Sequence, residues 1–465
     1  MLEITKVAVP DAPAAHLNRL SLDEPRPGTR SDVYSFDIKG WVLSGPPPVE
    51  AVEVVQEGRL VLELPVREDR PDVAAAFPDA SGEAKGFRGS IGSLSLRSTF
   101  DLQLRMRLSG GRRLPLARIE GNRTALPAGH ESAIQPLMVN TIGRSGSSWL
   151  LWLLSCHPEI VAFKPFGHDV RAATYWTTVL QALSQPQSYL RQFDPENLEN
   201  PYWWIAGRGQ DRALGDPSLA AWLGRDNVEG LVAMCRSRIE AFYSWVTPSL
   251  PARFFVEKFF PYQVQADLLS EIYPEARELI LVRDFRDMLS SVLAFNAKRG
   301  YLAFGMERAG GEADYVTSVL EPSARSLLGR WRRRSKTAHL VRYEDLALEP
   351  AETLAPLLRY LGVDSRRPVV EETLKRALRG QPGMREHRTV TDAARSVGRW
   401  RHDLPAELAE ICNEALGPAL AEFGYAAGSE GHGFDGNGVA RQSGARGDGD
   451  DSPTHRRARG TRAEA

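Results

Sequence analysis

Between residues 100 and 108 apolar and polar side chains alternate strictly. Phe100, Leu102, Leu104, Met106 and Leu108 are separated by Asp101, Gln103, Arg105 and Arg107. Successive side chains of a strand point to opposite faces, so a period of two predicts a half-buried antiparallel strand. Shorter runs of the same kind occupy residues 34–38, 52–55 and 60–64, broken by Ser-Gly-Pro-Pro-Pro and Glu-Gly-Arg. Several short strands with Gly/Pro turns, from about Val33 to Ile119, predict a small all-β sandwich. It contains no titratable cluster and reads as a packing or binding module.

The pattern changes after a polar stretch, Glu120–Ser132. Short apolar runs (LMVNTI, RFFVEKF, ELILVR, AHLVRY) now alternate with longer amphipathic ones (WLLWLLS, YQVQADLLSEIY, DMLSSVLAFNAK, AETLAPLLRYLG, AELAEICNEALGPALAEF). Strands alternating with helices predict an α/β domain around a parallel sheet flanked by helices. The expected division is a sandwich over 1–120, a linker over 121–134, an α/β domain over 135–426 and a disordered tail over 427–465. The tail is rich in Gly, Asp, Arg and Ser, and carries too little apolar surface to offset the entropy of ordering.

The chain has 465 residues, 42% of them hydrophobic, enough for two domains with sizeable cores. Its net charge of -1 gives no global reason to expect a nucleic-acid partner, so any anion site must come from local clusters. Cys156, Cys235 and Cys412 are far apart and odd in number, which fits neither a disulfide framework nor a zinc site. No apolar run approaches the ~18 residues of a membrane span, and the first residues do not read as a signal peptide. A cytoplasmic protein that uses no metal is the expectation.

The chemistry gathers in loops. Gly143-Arg144-Ser145-Gly146-Ser147-Ser148-Trp149 lies between a buried strand and an apolar helix. Glycine lets the backbone approach a phosphate, helix N–H groups attract an anion, and Arg144, Ser147 and Ser148 add donors. A nucleotide P-loop would end in Gly-Lys-Ser/Thr, and that lysine is missing. Phosphates that are held but not transferred suit this loop better; the plainer reading is a serine-capped strand-to-helix turn. A second site lies in ELILVRDFRDMLSS. Arg283 ends a strand, where ligands bind in open α/β sheets. Asp284 can cap the next helix, and Ser291, about two turns along it, can share an anion with Arg283. The plainer reading of Arg283 is a salt bridge to Asp287 or Glu278. Two such sites imply a nucleotide with phosphates at both ends.

These two motifs, in this order and context, resemble the sulfotransferase superfamily. The resemblance extends from Gln135 to Tyr425 and includes Tyr343-Glu344-Asp345-Leu346 and Gly398-Arg399-Trp400. It implies 3′-phosphoadenosine 5′-phosphosulfate (PAPS) as co-substrate and a parallel-sheet P-loop-like fold. It implies that Arg144 to Trp149 hold the 5′-phosphosulfate and that Arg283 and Ser291 hold the 3′-phosphate, with Gly398, Arg399 and Trp400 closing over the nucleotide. Where the family has Arg-Asp-Pro-Arg-Asp, this chain has Phe285 for the proline.

Sulfuryl transfer needs positive charge at the leaving phosphate and a base for the acceptor proton. Lys258 is the candidate for the charge, by resemblance to a Glu/Asp-Lys-x-Pro segment, although its proline comes one residue later, at Pro261; Arg144 is the other. For the base, Asp169 and His168 both stand, while Lys164 and Pro165 fill the positions where some relatives have glutamate. As plain structure, Lys258 is an exposed strand-end lysine, Asp169 a helix cap and His168 an exposed loop residue. His157 is expected to shape the turn after the first helix. Tyr202, Trp203 and Trp204 are candidates for stacking on an acceptor. The first module, with GWVL and RPDVAAAFPD, resembles a β-sandwich domain found beside bacterial glycosyltransferase-type domains. That favours a polysaccharide or glycolipid acceptor, with other small hydroxyl or amine acceptors open. Two alternatives are a P-loop phosphotransferase and a nucleotide-binding scaffold in glycan assembly.

Overall fold

The computed structural model describes residues 2–10, 17–31, 33–78, 82–126, 131–164, 168–184, 218, 222–247, 251–261, 263–380, 383–389 and 393–425. The strand read from strict alternation is Thr99–Leu108, with every one of its apolar residues from Phe100 to Leu108 buried. It belongs to a six-stranded antiparallel sheet whose order is Arg30–Ser31, Leu2–Ala8, Arg113–Arg123, Thr99–Leu108, Val49–Gln56, Arg59–Pro65. A four-stranded sheet (Leu17–Glu24, Ser35–Ser44, Glu83–Gly92, Glu68–Asp69) faces it. One core joins the two inner faces, with Phe36, Ile38 and Phe87 on one side and Leu102, Leu104 and Met106 on the other.

The sandwich starts earlier than the alternation suggested. Leu2–Ala8 pairs with Arg113–Arg123 near the middle of the large sheet. That last strand also runs to Arg123, three residues into the expected linker.

The second half is a five-stranded, all-parallel sheet. Its strands are β1 (Gln135–Asn140), β2 (Ile160–Val161), β3 (Phe254–Phe259), β4 (Arg277–Val282) and β5 (His339–Arg342). Their spatial order is β2-β3-β1-β4-β5, with β1 central. Helices cover both faces, as a sheet buried on two sides requires. The core on one face packs α1 (Ser147–Leu154) and α7 (Pro350–Leu361) against β1, β4 and β5. On the other face, α5 (Phe285–Arg299), α6 (Glu321–Arg334) and α8 (Ala406–Glu422) pack against β4. A further core brings α2 (Ala172–Leu183), α3 (Asn227–Val246) and α4 (Gln265–Ile272) onto β3 and includes Leu94 and Leu126.

Ion pairs join the sandwich to α4 and α6. Arg123 pairs with Glu271 at 2.7 Å, and Arg97 bridges Glu57 and Asp267. Arg333 reaches Glu57 at 2.9 Å, while the buried Arg330 reaches Asp267 at 3.0 Å and Glu278 at 2.5 Å. Among the described residues no helix is long and apolar enough to cross a membrane. All three cysteines are buried thiols.

Candidate active site

The carboxyl ends of β1, β3 and β4 lie side by side. Lys258 is level with Val139, and Val139 with Leu279. The loops leaving these strands carry the residues singled out from sequence, at the edge where open α/β sheets bind ligands.

After β1 the chain turns sharply. Thr141 Oγ1 donates to the carbonyl of Leu281 at 2.9 Å and, its one proton so used, accepts from the Ser145 hydroxyl at 2.6 Å. Ser145 is therefore fully buried and serves the loop's own geometry. Gly146 takes a left-handed φ of 91° as the N-cap of α1. A Cβ there would overlap the Tyr343 ring, so only glycine lets the loop lie against that tyrosine. The Trp149 ring meets the same tyrosine edge-on at 5.8 Å. Ser147 and Ser148 start the helix, half-buried.

Arg144, also at positive φ (67°), has its guanidinium over Phe295 at 4.6 Å and Phe304 at 5.6 Å. Its Nε donates to Ser291 at 3.1 Å. Ser291 thus also meets the first loop. The Arg283 side chain donates to the carbonyls of Arg144 (3.2 Å) and Ser396 (2.8 Å) and lies over Tyr343 at 4.5 Å. The expected salt bridges to Asp287 or Glu278 do not form: Asp287 accepts backbone N–H groups, and Glu278 binds Arg330, Arg334 and Asn140. Arg283 is buried, and its Nε has no hydrogen-bond partner. Burial, with the like charges of Arg283 and Arg399, pushes Arg144 down to about 10. Arg144 and Arg283 are thus neighbouring cations, one half-buried and one buried, whose repulsion an anion between them would relieve.

Lys258 is buried rather than an exposed strand end. Its ammonium donates to Ser148 Oγ at 2.8 Å and to Asp169 Oδ1 at 3.0 Å. Burial lowers its pKa, and the Asp169 charge works against that shift. Asp169 does not cap a helix: α2 begins at Ala172 with Arg171 as N-cap. Beside it, His168 is buried at φ 51°, with Nδ1 2.7 Å from the Phe163 carbonyl. A carbonyl can only accept, so Nδ1 carries the proton and Nε2 the lone pair. Burial lowers the pKa of this imidazole. His157 shapes the turn after α1 as expected: Nδ1 accepts from Glu159 N at 3.2 Å and Nε2 donates to Asp364 O at 2.9 Å.

The Gly-Arg-Trp segment is held by a residue whose role the sequence hid. Asp287 accepts from Gly398 N at 2.7 Å and Trp400 N at 2.9 Å, and burial pushes its carboxyl up to about 6. Trp400 turns inward, its ring buried under Arg286 at 4.0 Å, so its indole serves the core. Arg399 pairs with Asp403 and donates to Thr389 at 3.2 Å. Asp284 caps α5 through Arg286 N at 2.9 Å, as its place before the helix predicted. Tyr343, Ser396, Phe295 and Phe304 complete the walls. Tyr343 belongs to the Tyr-Glu-Asp-Leu segment, and the only sequence signal of the other three was the neighbourhood of named motifs. Tyr202, Trp203 and Trp204 lie outside the described residues. Among the described residues no group of three or more His, Cys, Asp or Glu could hold a metal ion.

Residues 136–367 match the model of the Sulfotransferase family. Human carbohydrate sulfotransferase 6 is 26% identical over 64% of this chain and 82% of its own length. Mouse carbohydrate sulfotransferase 5 gives the same identity and shares. Among solved structures, the sulfotransferase domain of the Synechococcus PCC 7002 olefin synthase aligns over 63% of this chain and 98% of its own, at 18% identity and a TM-score of 0.35. The matched stretch carries the loop of Arg144, the strand of Lys258 and the loop of Arg283, and the α/β domain of this chain belongs to the sulfotransferase family.

Proposed function

We propose that this protein transfers a sulfuryl group from PAPS to a hydroxyl of a carbohydrate acceptor. The observation that carries the reading is the set of cations at three adjacent strand ends: Lys258 and Arg283, both buried, and the half-buried Arg144. They fit a nucleotide with phosphate at both ends. The loop at Gly146 lies against Tyr343, and Arg283 keeps an unused buried N–H. In this reading Arg144, Gly146, Ser147, Ser148 and Lys258 hold the 5′-phosphosulfate. Arg283, Ser291, Gly398 and Arg399 hold the 3′-phosphate. The carbohydrate acceptor is supported by the names of the relatives that match most of their length.

The transfer is written as one displacement. The acceptor oxygen forms a bond to sulfur as the bond from sulfur to the 5′-phosphate oxygen breaks. The acceptor proton passes to the Asp169 carboxylate, and the charge on the departing phosphate meets Lys258 and Arg144. Asp169 is favoured over His168 because its side chain is 66% exposed and touches Lys258, whereas His168 is buried behind it.

The test has two parts. Calorimetry should show adenosine 3′,5′-bisphosphate binding far better than AMP or ATP, with Arg283→Ala costing roughly 1.5–3 kcal/mol, the scale of a hydrogen bond to a charged group. Equal affinities for AMP and the bisphosphate would overturn the donor. Sulfur-labelled PAPS incubated with glycan extracts should yield a labelled carbohydrate; label appearing only as inorganic sulfate would overturn the acceptor class.

A further inference from the structure

Lys258 donates at once to Ser148 Oγ (2.8 Å) and to Asp169 Oδ1 (3.0 Å). Ser148 lies in the first turn of α1, where the helix dipole and the loop favour an anion. A carboxylate therefore already occupies the place to which the lysine and the serine would draw a phosphosulfate. The two partners of this ion pair differ in surroundings. The Lys258 side chain is 11% exposed, while that of Asp169 is 66% exposed. The lysine is fixed in the middle of a sheet, on a strand paired along its whole length with β1. Asp169 lies between a histidine at positive φ and the start of α2, and Arg171 Nη2 is 3.8 Å from the same Oδ1. The exposed partner can swing to water at little cost, and the buried lysine cannot follow it.

We infer that Asp169 is a stand-in anion for the donor: its carboxylate holds Lys258 until the phosphosulfate replaces it, and that replacement frees the same carboxylate to face the acceptor. The inference rests on the reading of Lys258 and Ser148 as the donor's sulfate end. It gives donor and acceptor an order. Until the donor is bound, the carboxylate spends its charge on the lysine and is a weak base toward an acceptor hydroxyl. Once displaced, it lies beside the group to be transferred. No proton moves in the exchange; one ion pair replaces another.

Calorimetric titration of the full chain with adenosine 3′,5′-bisphosphate separates this from the plainer role of a base. Asp169→Asn removes the competing charge and should tighten bisphosphate binding roughly two- to fivefold, the worth of a partly exposed ion pair. In a Lys258→Ala background the same Asp169→Asn change should leave affinity unaltered, because the lysine over which the anions compete is gone. Unchanged or weaker binding by the single Asp169→Asn variant would overturn the inference. Equal tightening with and without Lys258 would also overturn it, since that result means general charge repulsion. If wild-type protein binds no bisphosphate, the donor reading fails instead, and that result is distinct from these two. Circular dichroism of Asp169→Asn should match wild type, as the exposed side chain supports no core.

Discussion

In the proposed transfer, Lys258 would meet the charge that grows on the leaving phosphate. It is buried, its pKa is lowered by that burial, and its contacts include a hydroxyl and an exposed carboxylate. A cation kept from water interacts strongly with charge appearing on a nearby oxygen and needs no reorganisation. Lys258→Ala should therefore reduce kcat by about 10²–10³-fold, the loss of one transition-state donor, with a smaller effect on donor affinity. Asp169→Asn should lose roughly 10²–10⁴-fold in rate as a base. Steady-state rates with an identified acceptor decide both; near-normal turnover by Asp169→Asn would move the base to His168. Gly146 gives a prediction of another kind. At φ 91° and against Tyr343, an added methyl meets both backbone strain and overlap. Gly146→Ala should cost about 1–2 kcal/mol or more in stability from φ alone and should abolish bisphosphate binding, as read by melting temperature and calorimetry.

At the scale of elements, two consecutive residues of β3 fix the segment that carries the candidate base. Lys258 holds Asp169, and Glu257, fully buried, accepts from Ala173 N with both oxygens, at 3.1 and 3.3 Å. Burial pushes the Glu257 carboxyl up to about 8 from an ordinary value of 4.5, so the folded state favours its protonated form. Its contribution to stability is fully present below pH 4.5. It is lost as pH rises through about 8, because the unfolded chain ionises first. Glu257→Gln cannot ionise and should flatten the fall in melting temperature between pH 5 and 8. Part of the slope should remain, from Asp287 at about 6 and Glu344 at about 7. Equal slopes in both proteins would show that Glu257 is already ionised when folded. Four strands and five helices of the α/β half were legible because each is one apolar run with a clear stop, whereas the two-residue strand Ile160–Val161 and helices such as Asn227–Val246 and Glu321–Arg334 were not. The pair of loops was legible too, since a strand end followed by Gly-Ser-Ser or Arg-Asp is a local pattern. What was not legible was contact between distant segments. Ser291 meets Arg144 across 147 positions, Asp287 holds Gly398 across 111, and Asp169 meets Lys258 across 89. Those meetings follow from the order β2-β3-β1-β4-β5, which no local spacing encodes.

At the scale of the whole molecule, the sandwich is tied to the helix between the strands of Lys258 and Arg283. Arg123 has only 1% of its side chain exposed. It donates to both oxygens of Glu271 at 2.7 and 2.8 Å, and Glu271 also accepts from Leu126 N at 2.9 Å. Arg97 reaches Asp267, one helical turn earlier in α4, and Leu94 and Leu126 of the first half enter the core under α2 and α3. The first module is therefore part of how the α/β half stays folded, although both phosphate-type loops lie outside it. Removing one partner of a buried pair leaves the other charge without compensation, a loss of roughly 3–5 kcal/mol. Arg123→Ala should lower the melting temperature of the full chain by several degrees or more, while Arg123→Ala with Glu271→Gln should recover part of it, since no buried charge is then stranded. Affinity for adenosine 3′,5′-bisphosphate should stay within about twofold of wild type in both variants, below the tenfold that 1.4 kcal/mol represents. A chain beginning at Ala133 should still carry the site but aggregate, because Asp267, Glu271 and the core around Ile239 and Leu268 lose their cover. A stable, soluble truncation with wild-type affinity would show that the sandwich supports neither the site nor the fold, and loss of affinity in Arg123→Ala at full stability would show that it shapes the site directly.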